Sequence, residues 1–356
     1  MTQYLSALGW CASFENQLSQ DDRNRWIGRI IEVQRDLALV SDGQTDRLCS
    51  ASGRLRFDAI DAADFPAVGD WVVVRHRNGD DRGVILRLLG RRSCFSRKSP
   101  HTGAMQVVAA NIDIAFITAA LGDDYNLRRI ERYLAMVWES GARPVVILNK
   151  ADKCRDVGGM IDEVESIAPS VRVLAVSGRT GEGVEALQGQ LLPRETAVFI
   201  GSSGVGKSTL VNALLGRDAQ ETSHISGYKD KGRHTTTSRK LLPLANGALL
   251  IDTPGMRELG LHDASEGVSQ TFEDVEAIVA SCRFSDCQHR SEPGCAVKAA
   301  LDEGSLDPAR WHSFQKLQRE AAYQARQEDP NLLREERERW KKIGQVGRAR
   351  ARRRWG

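Results

Sequence analysis

Between about Arg25 and Leu89 the chain alternates apolar and polar positions in short runs: WIGRIIEV, DLALV, RLCSASGRLRF, VGDWVVVRHR and RGVILRLL. Successive side chains of a strand point to opposite faces, so each run predicts a half-buried strand. Asp42-Gly43, Pro66 and Gly79-Asp80 punctuate these runs, the texture of a small β-barrel or sandwich. The residues before Arg25 read as a short helical lead-in, and RRSCFSRKSP, from Arg91 to Pro100, as a basic, turn-rich linker. From about Val107 the pattern changes. Continuous apolar runs (NIDIAFITAA, RPVVILNK, VRVLAVSG, TAVFIGSS, GALLIDTPG) alternate with helical stretches such as LRRIERYLAMVWES and MIDEVESIA. Such runs predict a parallel sheet covered on both faces, extending to about Leu261. Helix-rich segments follow. Asp307-Pro308 reads as a helix start, after which Trp311, Phe314, Leu317 and Ala321 recur at helical spacing as a packing face. The expected division is 1–100 for lead-in, barrel and linker, 101–265 for the α/β domain, and 266–356 for a helical domain with a basic tail.

Composition sharpens this. A 41% apolar share in 356 residues supports packed cores and two or three domains. Net charge is +3, yet Arg334 to Gly356 holds ten Lys or Arg against three Glu. A basic tail on a nearly neutral body points to a nucleic-acid or acidic-surface partner; a solvated charged helix is the alternative. Cys11, Cys49, Cys94 and Cys154 are scattered, whereas Cys282, Cys287 and Cys295 crowd beside His289. That grouping suits metal binding in a reducing cytosol better than a disulfide framework. The first 22 residues hold no Lys or Arg and no long apolar core, unlike a secretory signal. No apolar run reaches the ~18 residues that span a bilayer. A cytoplasmic protein without membrane contact is expected.

Gly201 to Thr209 reads GSSGVGKST and follows the strand AVFI, matching the phosphate-loop pattern in its required strand–helix context. Gly201, Ser202, Ser203, Gly204, Val205 and Gly206 would wrap backbone N–H groups around a polyphosphate. Lys207 adds a charge near the β- and γ-phosphates, Ser208 a magnesium ligand, and Thr209 continues into the helix. An ordinary Gly-rich strand–helix turn is the alternative. Asp252-Thr253-Pro254-Gly255 follows the strand ALLI. Asp252 can hold a magnesium-bound water, and the Gly255 N–H can meet the γ-phosphate. Asn149-Lys150-Ala151-Asp152 follows PVVIL. The Asp152 carboxylate can accept both N1–H and N2–H₂ of guanine, a pair adenine lacks, so it would select GTP over ATP. Asn149 would brace that loop and Lys150 pack over the ring, while Ser177-Gly178 offers a backbone N–H to the guanine carbonyl.

Ordinary GTPases place the phosphate loop first. Here NKAD comes at 149, Ser-Gly at 177, the phosphate loop at 201 and DTPG at 252. Such a circular permutation is tolerated where termini lie close together at the surface. The permuted order, GRHTTT from Gly232 to Thr237, and the Cys-x4-Cys-x-His-x5-Cys cluster together resemble the bacterial ribosome small-subunit-dependent GTPase A family. The match covers nearly the whole chain. It implies a multidomain α/β protein: an N-terminal OB-like β-barrel, a circularly permuted P-loop GTPase domain and a C-terminal zinc-binding helical domain. It also implies a late role in maturation of the small ribosomal subunit, with contact to its rRNA and GTP hydrolysis to GDP stimulated by that subunit. A monomer is expected.

Cys282, Cys287, His289 and Cys295 offer three thiolates and one imidazole with no carboxylate, which suits one closed, structural zinc site; buried reduced cysteines are the alternative. Ras-like GTPases orient the attacking water with a Gln just after D-x-x-G, a position held here by Met256. A thioether cannot do this, so slow intrinsic turnover is expected. His234 lies where the first switch loop belongs, and Thr236 would meet magnesium and the γ-phosphate, bringing a neutral imidazole near the water. Alternatively His234 packs or contacts RNA. Potassium assistance is disfavoured because Gly204 stands where potassium-dependent GTPases carry Asn. Two other classes remain open: a regulatory switch GTPase acting on a protein effector without RNA, and an RNA-binding module whose nucleotide site is only structural.

Overall fold

The computed structural model describes residues 2–34, 36–59, 62–76, 82–98, 105–122, 125–216, 239–252 and 265–328. Contacts divide the chain into two units, Met1–Gly260 and Leu261–Gly356.

The first unit begins with three short helices, α1 (Thr2–Ala7), α2 (Ala12–Glu15) and α3 (Gln20–Arg23). Five strands follow: β1 (Trp26–Gln34), β2 (Leu37–Ser41), β3 (Asp46–Ala51), β4 (Trp71–Arg75) and β5 (Arg82–Leu88). They pair in the order β1-β2-β3-β5-β4, and β4 returns to β1, so the sheet closes into a five-stranded barrel. Only β3–β5 is parallel. This is the closure of an OB-fold. Ile30, Val40, Cys49, Val72, Val74 and Ile85 fill one cluster of its core. Leu5, Trp10 and Phe14 of the lead-in form another cluster with Trp71, the Trp10 ring meeting Trp71 edge-on at 4.8 Å.

Two sequence expectations are corrected here. The run RLCSASGRLRF is not one strand: after β3 the chain turns into α4 (Gly53–Asp58). Ser52 caps that helix, accepting the Leu55 N–H at 3.1 Å, and a capping serine overrides the apolar alternation. The expected linker contains β6 (Cys94–Lys98), antiparallel to β7 (Met105–Ala110), with Phe95 buried. Its basic flank is neutralised internally. Arg91 grips the fully buried Asp70 through two 2.7 Å bonds, and Arg92 pairs with Asp113 at 3.2 Å. Arg91 is therefore tied into the fold through Asp70.

The α/β layer contains β8 (Ile114–Ala120), α5 (Leu127–Ser140), β9 (Arg143–Asn149), α6 (Val157–Ile167), β10 (Arg172–Val176), α7 (Val184–Gln188), β11 (Thr196–Ile200), α8 (Lys207–Leu215), β12 (Arg239–Pro243) and β13 (Leu249–Asp252). Strands β10-β9-β8-β11-β13 are parallel and β12 is antiparallel to β13. Wholly buried runs such as Val145–Leu148 and Thr196–Ile200 suit a sheet covered on both faces. β12 also pairs with β1, Glu32 opposite Lys240, with an ion pair of 3.2 Å between them. Barrel and layer thus share one eleven-stranded sheet.

Arg29 bolts the two together. Its side chain is buried and donates to Leu8 O at 2.6 Å, Gly69 O at 3.1 Å, Asn111 O at 2.8 Å and Thr196 Oγ1 at 2.9 Å. These acceptors belong to the lead-in, the turn before β4, the β7–β8 turn and the start of β11. Burial lowers the Arg29 pKa to about 10, against the attraction of Asp113 and Asp70, so it stays charged. Gly69 is obligatory beside it: at φ +93°, a Cβ would lie 2.0 Å from Ala110 O.

The second unit holds α9 (Ser265–Thr271), α10 (Glu273–Ala280), α11 (Ala296–Asp302) and α12 (Pro308–Glu328). α12 starts at the expected proline, and Trp311, Phe314, Leu317 and Ala321 are all buried. Arg310 ties α12 to α10, holding Asp274 at 2.5 and 2.8 Å while its guanidinium lies 4.7 Å from the Phe272 ring centre. Among the described residues no helix is long and apolar enough to cross a membrane.

Replacing Arg29 by Met keeps the volume but strands four acceptors. A loss of about 3–5 kcal/mol is expected, read as a lower urea midpoint by tryptophan fluorescence. An unchanged midpoint would show that Arg29 is not the bolt.

Candidate functional site

Because β8, β9, β10, β11 and β13 are parallel, the loops that leave them emerge at one edge. Asn149 is opposite Ala120 and Val176, and Ile251 is opposite Val198. NKAD, Ser177-Gly178, the phosphate loop and Asp252 therefore gather at the carboxyl ends of the strands, where open α/β sheets bind ligands. Chain order is irrelevant to that convergence.

Gly201 (φ +143°) and Gly206 (φ +98°) shape the phosphate loop. A Cβ on Gly201 would lie 2.3 Å from Thr118 O, and one on Gly206 2.3 Å from Asn149 Nδ2. Val205 is buried, while Ser203, Gly204, Ser208 and Thr209 are exposed. α8 starts at Lys207, and a helix start directs its first N–H groups towards the loop. Lys207 Nζ donates to Gly201 O and Ser202 O, both at 2.6 Å. Ser202 Oγ accepts from Arg129 of α5 at 3.0 Å; that arginine had no motif to announce it.

The NKAD loop is locked to the phosphate loop by one side chain. Asn149 is buried; its Nδ2 donates to Val205 O at 2.8 Å and its Oδ1 accepts the Gly178 N–H at 3.1 Å. Lys150 sits in the left-handed region at φ 64°, turning the chain into the 3₁₀ turn Ala151–Lys153. Asp152 Oδ1 accepts from Ser177 Oγ at 2.6 Å, and Oδ2 from Arg179 at 2.5 and 3.2 Å. The Ser177 hydroxyl and then the Arg179 guanidinium hold the Asp152 carboxyl below the usual carboxylate range. It is an anion throughout the physiological range, as a double acceptor must be.

Asp252, next to the phosphate loop by register, has its carboxyl raised by desolvation; a cation beside it would reverse that shift. Its acceptor oxygens and the Ser208 hydroxyl are hard ligands of the kind magnesium takes. His234, Thr236, Gly255, Met256 and the basic tail lie outside the described residues.

In the second unit, Cys282, Cys287, His289 and Cys295 bring four ligand atoms within 4.8 Å of one another. His289 Nδ1 lies 3.6 Å from both Cys282 Sγ and Cys295 Sγ. Bonds of ~2.3 Å to sulfur and ~2.0 Å to nitrogen around a tetrahedral ion give edges of about that length, so the donor set fits zinc. Cys295 also caps α11, accepting the Lys298 N–H at 3.4 Å. The His289 ring stands edge-on to Trp311 at 5.3 Å, a contact that fixes its orientation.

Residues 88–262 match the family model described as RsgA GTPase. The chain is 46% identical to the small ribosomal subunit biogenesis GTPase RsgA of Opitutus terrae, over 98% of both chains. It is 46% identical to the small ribosomal subunit biogenesis GTPase RsgA 2 of Vibrio parahaemolyticus, over 90% of this chain and 86% of that one. Among solved structures it is similar to YjeQ from Thermotoga maritima, with a TM-score of 0.62 and 25% identity, covering 84% of this chain and 99% of that one. With the permuted site and the OB-like barrel already in place, these similarities settle its kinship: the chain belongs to the RsgA GTPase family.

Proposed function

We propose that this GTPase binds the small ribosomal subunit through rRNA, assists its late maturation in the cytoplasm, and hydrolyses GTP to GDP and phosphate under that subunit's stimulation. The observation that carries the nucleotide reading is the Asn149 clasp, which unites Val205 of the phosphate loop with Gly178 of the base loop. The relatives' names supply the ribosomal partner. The protein acts as a monomer of three parts, 1–100, 101–265 and 266–356.

In this reading Gly201 to Thr209 cradle the phosphates and Asp152 reads guanine, with Lys150 and Ala151 against the ring. The Gly178 N–H already serves Asn149, so this loop's contact to the guanine carbonyl comes through a neighbouring group or a shared bond. Ser208, Asp252 and Thr236 would hold magnesium, which spreads the negative charge of the phosphates. Gly255 donates to the γ-phosphate, and His234 orients the attacking water. Phosphoryl transfer asks mostly for positioning and charge stabilisation, so a missing glutamine leaves a slow enzyme that its partner accelerates. Cys282, Cys287, His289 and Cys295 would hold one zinc and so stabilise a helical unit with a small core.

Co-sedimentation with small subunits should be stronger with a non-hydrolysable GTP analogue than with GDP, and His234→Ala should still sediment but lose most stimulated turnover. Equal sedimentation in both nucleotides would sink the ribosomal cycle; full turnover in His234→Ala would move the water-orienting role to the ribosome.

Asp152→Asn removes one acceptor of a charge-assisted pair. GTP affinity should fall on the order of 100-fold, with xanthosine triphosphate preferred in competition binding. Retained guanine preference would refute the base-site assignment.

Elemental analysis should return about one zinc per chain. Cys287→Ala should lower the melting temperature of the C-terminal unit and leave GTP affinity close to wild type. A zinc-free protein from a chelator-free preparation would refute the centre.

A further inference from the structure

The Asp152 carboxylate is the group that must receive guanine, yet its acceptor capacity is already largely committed. Each carboxylate oxygen accepts about two hydrogen bonds. Oδ1 takes one from Ser177 Oγ at 2.6 Å. Oδ2 takes two from Arg179, Nη2 at 2.5 Å and Nε at 3.2 Å. A guanine donating N1–H to one oxygen and N2–H to the other therefore meets an Oδ2 whose two positions are already taken. Ser177 is no obstacle. The conflict lies with Arg179.

The arm can leave without disturbing its loop. Ser177 N donates to Glu182 O at 2.8 Å, Gly181 N to Ser177 O at 2.8 Å and Thr180 N to Ser177 Oγ at 3.2 Å, closing residues 177–182 on themselves. The Arg179 side chain is 72% exposed while that of Asp152 is 9% exposed, so one partner is free to swing and the other is fixed. The same loop carries Gly178, whose N–H is pinned by Asn149.

We propose that Arg179 is a latch on the guanine-reading carboxylate: its guanidinium competes with the base for Asp152 Oδ2, so guanine nucleotide binds only as the arm swings out, and the arm speeds nucleotide exchange by recapturing Asp152. The inference rests on the assignment of Asp152 as the base reader. It makes Arg179 a competitor for one of the two oxygens that a guanine would need. An exposed ion pair is worth little, so the latch is weak and adjusts affinity within one order of magnitude.

The test is a double-mutant cycle on the full chain, with fluorescent GDP and its xanthosine counterpart in stopped flow. Arg179→Ala should bind GDP about three- to five-fold tighter, with a faster on-rate. In an Asp152→Asn background, which lacks the anion, the same change should leave xanthosine diphosphate affinity unaltered. Unchanged GDP affinity in Arg179→Ala overturns the latch. Weakened affinity also overturns it, making Arg179 a direct contact to bound nucleotide. Tightening that persists in the Asp152→Asn background assigns the effect to general charge and overturns it as well. If Asp152→Asn alone keeps its guanine preference, the base-site reading fails and the latch falls with it, an outcome distinct from the other three.

Discussion

A buried carboxamide holds the nucleotide site together. Asn149 needs a donor on one side and an acceptor on the other, because it faces a carbonyl at Val205 and an N–H at Gly178. Aspartate could not donate to Val205, and leucine would leave both backbone groups unsatisfied at about 1–3 kcal/mol each. Gly206 belongs to the same constraint, since any side chain there would strike the Asn149 amide. The clasp joins segments separated by 56 and 29 residues, and nothing in it depends on which segment comes first. Circular permutation can therefore change the order of the motifs without changing the site. The parallel strands deliver four loops to one edge, and Asn149 joins three of them.

The barrel is attached by a second polar device. A free-standing barrel would need an apolar interface to dock on the α/β layer. Here β1 instead continues the sheet through β12, and Arg29 supplies four hydrogen bonds where lead-in, barrel and layer meet. Asn111 reinforces the joint: at φ 54° it donates Nδ2 to Gly69 O and accepts the Arg92 N–H, at 3.0 Å each. A buried guanidinium with carbonyl partners tolerates little displacement, because each acceptor lost is left dry. The consequence is orientation. The barrel and the nucleotide layer form one body, so a surface on the barrel is presented in fixed register with the nucleotide edge.

What could be read from the sequence follows from range. Strand alternation, apolar runs and the Asp307-Pro308 helix start are local, and they located the barrel, the parallel layer and α12. The phosphate loop, NKAD and the cysteine cluster are legible for the same reason, each packing its chemistry into a few consecutive residues. Ser52 misled because a single capping hydroxyl turned an alternating run into a helix. The segment from Arg91 to Pro100 misled as a linker because β6 is held by pairing with β7, and Arg91 by Asp70, 21 positions away, partners that no local pattern announces. Arg29, Arg129 and Arg179 were invisible as a class. An arginine declares its role only through the acceptors it reaches, and those come from elsewhere in the chain.

Two of the site's charged groups, Lys207 and Asp152, are already partnered inside the protein. Lys207 rests on the carbonyls of Gly201 and Ser202, and Asp152 on Ser177 and Arg179. Nucleotide binding is then an exchange of partners, and only the difference between old and new bonds appears as affinity. For Lys207 the exchange is favourable, because a phosphate anion replaces neutral carbonyls. For Asp152 the proposed exchange would gain less, because a neutral base would replace a guanidinium already in place. In the proposed reading the phosphate contacts would supply most of the affinity and the base contact the selection. Such a division would be tight on the shared polyphosphate and discriminating at the base.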